Sequence, residues 1–287
     1  MWIAHSYAKI NLGLHVLERL PTGYHRIETG FCFLEWKDRF EVSRSDVFSL
    51  DLSDNSIPAG ESNLITKAYR AFNRYVGLKN QYSFSVTKNI PAGGGLGGGS
   101  SNAALTFRIL NKLEKTGLSD EDLIDLSRDI GADIPFFIKG KTGIGTGMGQ
   151  EIEPIDFQPD TWIVCIFPGF ESSTAEAYRN CNPNPEPDFT IKSVLLEEEP
   201  DQWQYLLQND LEAPVVAQYE IIGNIKDQLI DLGAVYASMT GSGSAVFGLF
   251  DQDFVAINAY ESFHDLGFAS NLTRPRFTPD YGIYRKD

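Results

Sequence analysis

Six of the seven residues from Gly93 to Gly99 are glycine, interrupted only by Leu96, and Ser100-Ser101-Asn102-Ala103 follows at once. A backbone that lacks Cβ atoms can take positive φ and let a ligand approach it closely. The neighbouring residues narrow the reading. Tyr82 to Thr87 has the texture of a short strand. Leu105, Ile109 and Leu113 recur at i, i+4 and i+8, so the spacing predicts a helix that opens at Ser100 and carries them on one face. A strand that runs through glycines into a helix makes an anion site from backbone alone. The first helical N–H groups have no intrahelical partner, and they sit at the positive end of the dipole. A flexible linker or a crowded packing turn is the alternative, and tight framing by strand and helix argues against a linker.

Two familiar phosphate motifs fit poorly. The pattern GxxxxGK[ST] fails because no lysine precedes Ser100. GxGxxG matches Gly93, Gly95 and Gly98, yet the acidic residue expected about twenty positions later at a strand end is missing, since Glu114 falls inside the helix pattern. A Rossmann dehydrogenase is therefore remote.

Charge bears on the kind of anion. With 24 Lys+Arg against 39 Asp+Glu, the chain carries a formal −15, which argues against a nucleic-acid polymer as partner. The charge is not spread evenly. Residues 186–231 hold 11 acidic and 2 basic side chains, whereas residues 83–118 hold 4 basic and 1 acidic. A nucleotide at the glycine loop is compatible with that distribution. At 42% hydrophobic and 22% charged, the 287 residues are those of a globular protein of one large or two ordinary domains. Cys32, Cys165 and Cys181 form no CxxC pair and read as reduced thiols. The N-terminus lacks a basic region followed by an apolar one, and no run reaches the ~18 apolar residues of a membrane span. A cytoplasmic protein with no membrane partner is expected.

Strands and helices interleave along the chain. Tyr7 to Val16 alternates, with Ala8, Ile10, Leu12, Leu14 and Val16 on the buried face and Lys9 and Asn11 on the other. Phe31 to Leu34 reads as the next strand, Ser62 as the cap of a helix through Phe72 and Val76, and Ser119 as the cap of another helix through Ile130. Trp162 to Phe167 and Ser244 to Phe250 read as strands. The texture changes near residues 150–160, so two domains are expected, 1–155 and 156–287, of class α+β.

Four segments in order resemble the GHMP kinases, the superfamily of galactokinase, homoserine, mevalonate and phosphomevalonate kinases. They are Ala8-Lys9-Ile10-Asn11-Leu12 with Gly23-Tyr24-His25, then Pro91 to Ala103, then Gly131 to Phe137, and finally Met239 to Gly248. The likeness is weakest from about residue 181 to 235. It implies an N-terminal domain with a left-handed βαβ crossover, unusual against the right-handed rule, and a ferredoxin-like C-terminal domain. It also implies an ATP- and Mg²⁺-dependent kinase with a cleft between the domains, acting as a monomer or weak homodimer. The combination of these motifs with Gly131 to Phe137 is similar to the branch whose acceptor is a cytidine diphosphate sugar alcohol, 4-diphosphocytidyl-2-C-methyl-D-erythritol, phosphorylated on its 2-hydroxyl for isoprenoid precursors. Gly23-Tyr24-His25 argues against the small acceptors. Mevalonate, phosphomevalonate or homoserine as acceptor is the alternative within the superfamily, and a non-catalytic nucleotide-binding regulator is the alternative outside enzymes.

Particular residues follow from the likeness. Asp133 would take the proton from the acceptor hydroxyl, although the residues alone read equally as a helix N-cap, with Pro135 keeping Ile134 out of the helical region. Lys9 would pair with it and polarise the hydroxyl, although a solvated strand lysine is the plainer reading. Pro91, Ala92, Gly93, Gly94, Gly95, Leu96, Gly97, Gly98, Gly99, Ser100 and Ser101 would hold the phosphates. Asn63 and Lys88 would border the adenosine, or serve as a cap and a surface lysine. Asn11, Tyr24, His25, Phe31, Thr174, Tyr178, Gly241 and Ser242 would bind the acceptor, with an aromatic ring and an imidazole suited to cytosine. Ser101 is the one candidate metal ligand.

Overall fold

The computed structural model describes residues 1–286. Strands β1 (Trp2–Arg19), β2 (His25–Ser45) and β3 (Ser49–Leu52) come first, followed by α1 (Leu64–Val76) and β4 (Gln81–Thr87). The glycines lead into α2 (Gly98–Glu114), then α3 (Asp120–Ser127), α4 (Ile134–Lys139), β5 (Gly143–Thr146) and β6 (Glu151–Pro154). Next are β7 (Trp162–Phe167) and five helices: α5 (Thr174–Asn180), α6 (Ile191–Glu197), α7 (Trp203–Leu206), α8 (Glu212–Gln218) and α9 (Glu220–Asp231). The chain ends through β8 (Tyr236–Met239), β9 (Val246–Phe250), α10 (Asp253–Asp265), β10 (Ala269–Thr273) and β11 (Tyr284–Arg285).

One sheet runs β11-β1-β2-β4-β3, with the β5–β6 hairpin attached to β2. β3 and β4 are parallel and joined through α1, so they form a βαβ crossover. The other sheet runs β10-β7-β9-β8, all antiparallel, in the order β–α–β–β–α–β that defines a ferredoxin-like layer. The chain passes between the sheets from Pro154 to Trp162, and β11 returns at the end to pair with β1.

Helix α1 buries Ile65, Ala68, Tyr69 and Phe72 against the first sheet and α2, in a core that includes Phe40, Phe84, Phe107 and Phe136. Each such ring adds about 1.5–3 kcal/mol of burial. The apolar row of β1, Ala8, Ile10 and Leu12, packs with Ile163, Cys165, Phe247 and Leu249 of the second sheet. β1 is thus the seam between the two layers, and its opposite face is covered as well.

Several local expectations change. Asn63, not Ser62, caps α1, its Oδ1 accepting from the Ile65 N–H at 2.9 Å. α2 starts at Gly98 rather than Ser100, after Gly97 takes the N-cap position in the left-handed region that glycine adopts without a Cβ clash. Ile134 is helical: Pro135 sits in the first turn of α4, where its missing N–H leaves no bond unmade. α3 ends at Ser127, short of Ile130, and β9 begins at Val246, two residues after Ser244. Ser119 does cap α3, in a reciprocal box with Asp122.

Candidate active site

The glycine loop is held from both sides. Before it, the fully buried Asp38 accepts from the N–H groups of Asn89 and Ile90 at 2.8 and 2.9 Å and pairs with the Lys88 ammonium. Inside it, Gly93, Gly95 and Gly97 take φ of +74°, +76° and +68°. A Cβ at Gly95 would lie 2.4 Å from the Thr240 carbonyl oxygen, and one at Gly97 would lie 2.8 Å from the Phe137 ring. Glycine is therefore required twice over, by conformation and by space. The Lys9 N–H donates to Leu96 O at 3.0 Å and the Ala245 N–H to Gly94 O at 3.1 Å, clamping the loop between β1 and the 240–245 turn. No side chain caps α2, so its first N–H groups face the loop without a side-chain acceptor.

Two cavities meet at this loop. One, of about 400 Å³, lies between the glycines and a wall that includes Leu52, Ile57, Asn63, Ile65 and Lys88. The other, of about 280 Å³, is lined by Lys9, Asn11, Phe31, Asp133, Tyr178 and Gly241 among others. Gly93, Gly95 and Gly97 border both. The first is mainly apolar and ends at the backbone of the glycine loop. The second brings a carboxylate and an ammonium to the far side of the same loop.

Lys9 is neither solvated nor at a surface. Its side chain keeps 5% of its exposure, and Nζ lies 3.5 Å from Asp133 Oδ2, donates to Asn11 Oδ1 at 2.6 Å and stands 5.2 Å from the centroid of the Phe31 ring. Burial pushes the lysine below its ordinary value, and the nearby Asp133 opposes that shift. Asp133 occupies the N-cap position of α4, but its side chain makes no capping bond and stays 31% exposed. The residues alone read equally as an N-cap, and the geometry leaves the carboxylate facing the cavity.

Asn11 is spent on the protein. Its Oδ1 accepts from Lys9 and from Thr240 Oγ1, at 2.6 and 3.2 Å, and its Nδ2 donates to Thr29 Oγ1 at 2.9 Å. Phe31, at 1% exposure, forms the floor under Lys9. On the other wall, Thr174 Oγ1 and Ser242 Oγ are 2.7 Å apart, which ties α5 to the 240–245 turn. Tyr178 stacks on His25 with centroids 4.9 Å apart and planes at 22°. Partial burial pushes His25 below its ordinary value, so at neutral pH its ring offers one donor and one acceptor.

Four expected positions, Gly94, Tyr24, His25 and Ser101, border neither cavity. Tyr24 sits in the turn before β2, 65% exposed, and borders neither cavity. Ser101 is fully buried, its Oγ accepting from the Tyr7 N–H at 3.0 Å, and it borders neither cavity. Its hydroxyl is committed to joining α2 to β1, so it does not fit a metal. Among the described residues no three His, Cys, Asp or Glu side chains gather into a metal cage. Thr29, Asp38, Asn209 and Thr240 complete the site and were not singled out from the sequence. Asn209, for example, donates to the carbonyls of Met239 and Gly241 at 2.7 and 2.8 Å. Only Thr240 left a signal, because it lies inside the segment Met239 to Gly248.

The model of the GHMP kinases N terminal domain matches residues 63–141, and that of the GHMP kinases C terminal matches 194–267. The chain belongs to the GHMP kinase family. It is thus an ATP-dependent small-molecule kinase, consistent with a cleft that ends at the glycine loop. This GHMP kinase is 38% identical over 281 residues to 4-diphosphocytidyl-2-C-methyl-D-erythritol kinase of Chlorobium phaeobacteroides (strain BS1), covering 95% of this chain and 97% of the relative. It is 36% identical to the kinase of the same name from Prosthecochloris aestuarii (strain DSM 271 / SK 413), covering 96% of both. Among solved structures, a 4-(cytidine 5'-diphospho)-2C-methyl-D-erythritol kinase superposes with a TM-score of 0.81 at 30% identity, covering 94% of this chain and 98% of that one. The Methanococcus jannaschii mevalonate kinase shares the fold at a TM-score of 0.70 and 15% identity, covering 96% and 98%. No described helix of this GHMP kinase is long and apolar enough to cross a membrane.

Proposed function

We propose that the protein transfers the γ-phosphoryl group of ATP to the 2-hydroxyl of 4-diphosphocytidyl-2-C-methyl-D-erythritol, a step toward isoprenoid precursors. The observation that carries this reading is the Lys9–Asp133 pair in a cavity that shares the glycine loop with the nucleotide cleft. The relatives named for that substrate support the choice of acceptor. So does the Tyr178 ring, which lines the second cavity and would offer a stacking face to a base that mevalonate and homoserine lack.

Phosphoryl transfer asks the protein mainly to position the reactants and to stabilise charge. The loop N–H groups at the start of α2 hold the phosphates, and Asn63 and Lys88 border the adenosine end of the cleft. The acceptor hydroxyl enters the second cavity beside Asp133, whose carboxylate takes its proton as the oxygen attacks the γ-phosphorus. The bond from that phosphorus to the β-bridging oxygen breaks, and ADP leaves. Lys9, fixed by Asn11, places positive charge beside the hydroxyl and the transferred group. Magnesium would enter bound to ATP and would supply neutralising charge to the phosphates.

Purified protein with Mg-ATP and each candidate acceptor, followed by ADP release, tests the proposal. Turnover is expected with the cytidyl substrate. Its absence, or faster turnover with mevalonate or homoserine, overturns the assignment.

A further inference from the structure

Thr29 of β2 is fully buried, and it does not border the cavity that holds Lys9 and Asp133. Its hydroxyl donates to the Gly13 carbonyl at 2.6 Å. A carbonyl only accepts, so the Thr29 proton is spent there. Toward Asn11, 2.9 Å away, the Thr29 oxygen can then act only as an acceptor. That fixes the polarity of the Asn11 carboxamide: its nitrogen turns to Thr29 and its oxygen to the Lys9 ammonium, 2.6 Å distant. The reverse orientation would set an NH₂ group against an ammonium, two donors facing each other with no acceptor between them. Thr240 Oγ1 accepts from the Asn11 N–H at 2.9 Å, and its own proton has Asn11 Oδ1 at 3.2 Å and the Gly95 carbonyl at 3.5 Å as acceptors.

We propose that Thr29 is a positioning residue for phosphoryl transfer, locking the Asn11 carboxamide so that its oxygen holds Lys9 beside Asp133. Nothing in the spacing of the sequence marks it, and the inference rests on the kinase reading only for its kinetic readout. Gly13 is where the chain makes this arrangement available. It takes φ +72°, and the pairing of β1 with β2 shifts register between Leu12 and Leu14. The irregularity frees the Gly13 carbonyl from the regular ladder to receive the threonine. The groups that share the cavity with Lys9 and can titrate are Asp133, Glu171 and Tyr178. None of them touches Thr29 in the hydrogen-bond network, so a change at residue 29 reaches Lys9 through Asn11.

Thr29→Val keeps the shape and removes both hydrogen bonds; Thr29→Ser keeps both and removes a methyl group. Thr29→Val should lower kcat about 10- to 100-fold, as expected when a buried donor loses its acceptor, with KM for ATP within about twofold. It should also move the alkaline limb of kcat to lower pH, because Lys9 loses a bond that favours its charged form. Thr29→Ser should restore kcat to within about threefold and the limb to its original position. Partial unfolding would show separately, as a loss of native circular dichroism of the Thr29→Val enzyme at the assay temperature across the same pH range. A Thr29→Val enzyme with the original kcat and limb, or a Thr29→Ser enzyme as slow as Thr29→Val, overturns the proposal. A measurement on the unsubstituted protein needs no turnover: the Asn11 side-chain NH₂ in ¹⁵N NMR should exchange slowly with solvent. Rapid exchange of that group refutes the lock even if the protein proves to act on another substrate. Slow exchange with no kinase activity instead refutes the functional assignment alone.

Discussion

Lys9 Nζ and Asp133 Oδ2 stand 3.5 Å apart, and only one of the two is accessible: the lysine side chain keeps 5% of its exposure, the aspartate 31%. The asymmetry divides the work. The cation is installed as part of the interior, anchored by Asn11 and Phe31, while the carboxylate keeps an open side to the cavity.

Asp133→Asn should bind ATP nearly as the parent does and lose about 10²- to 10⁴-fold in kcat, the usual weight of a positioned general base. Nucleotide affinity by calorimetry and ADP release by coupled assay check the two halves. Retained turnover would remove Asp133 from the base role.

The pH dependence follows from the lysine. Burial pushes Lys9 below the value of a solvated lysine, so the alkaline limb of kcat should appear at lower pH than an exposed lysine would give. Stability should move the other way. Between the folded and the unfolded values the unfolded chain binds more protons, so the cost of burying this charge is present below the folded value and is relieved as pH rises through it. A Lys9→Met variant should lack both the limb and this contribution, read from rate and urea-midpoint profiles across the alkaline range.

Two glycines of the loop should respond oppositely to alanine. At Gly95, positive φ costs about 1–2 kcal/mol for a residue with a Cβ. The new atom would also meet the Thr240 carbonyl at 2.4 Å. Gly95→Ala should therefore lower Tm by more than about 3 °C and weaken ATP binding. At Gly99 the nearest atom to a Cβ would be the end of Leu64, at 3.4 Å, and the backbone is helical. Gly99→Ala should leave Tm unchanged or slightly raised, since glycine costs a helix about 0.5–1 kcal/mol.

Tyr178→Ala should raise the KM for the cytidyl acceptor by about 5- to 100-fold, the range of a base–aromatic stack of about 1–3 kcal/mol, and spare ATP. Tyr24 lies outside the cavity at 65% exposure, so Tyr24→Ala should have the smaller effect on the same constant. Steady-state kinetics with the acceptor varied at saturating ATP ranks the two.

Asp38→Ala removes the partner of a buried Lys88 and the acceptor for two backbone N–H groups at the mouth of the loop. Losing one member of a buried pair costs about 3–5 kcal/mol. Chemical denaturation should show a loss of that order, accompanied by a higher KM for ATP.

Local chemistry decided a large part of this protein before any folding. Consecutive glycines between a strand and a helix pointed to an anion site, and the period-two row Ala8, Ile10, Leu12 had to face a core. These are statements about neighbours in the chain, which composition and spacing record. The tertiary structure decided the rest, because burial depends on what arrives from far along the chain. Lys9 reads as a solvated strand lysine until the Phe31 ring, Asp133 and the 240–245 turn enclose the polar face of β1. Asp133 reads equally as a cap until its side chain is found unbonded to α4. Ser101, beside the loop in sequence, is turned to the Tyr7 N–H, since successive side chains of a helix point in different directions. The Asn11 carboxamide has no preferred sense of its own. Thr29, on the neighbouring strand, gives it one, because its proton is spent on the Gly13 carbonyl and its oxygen can then only accept from Asn11.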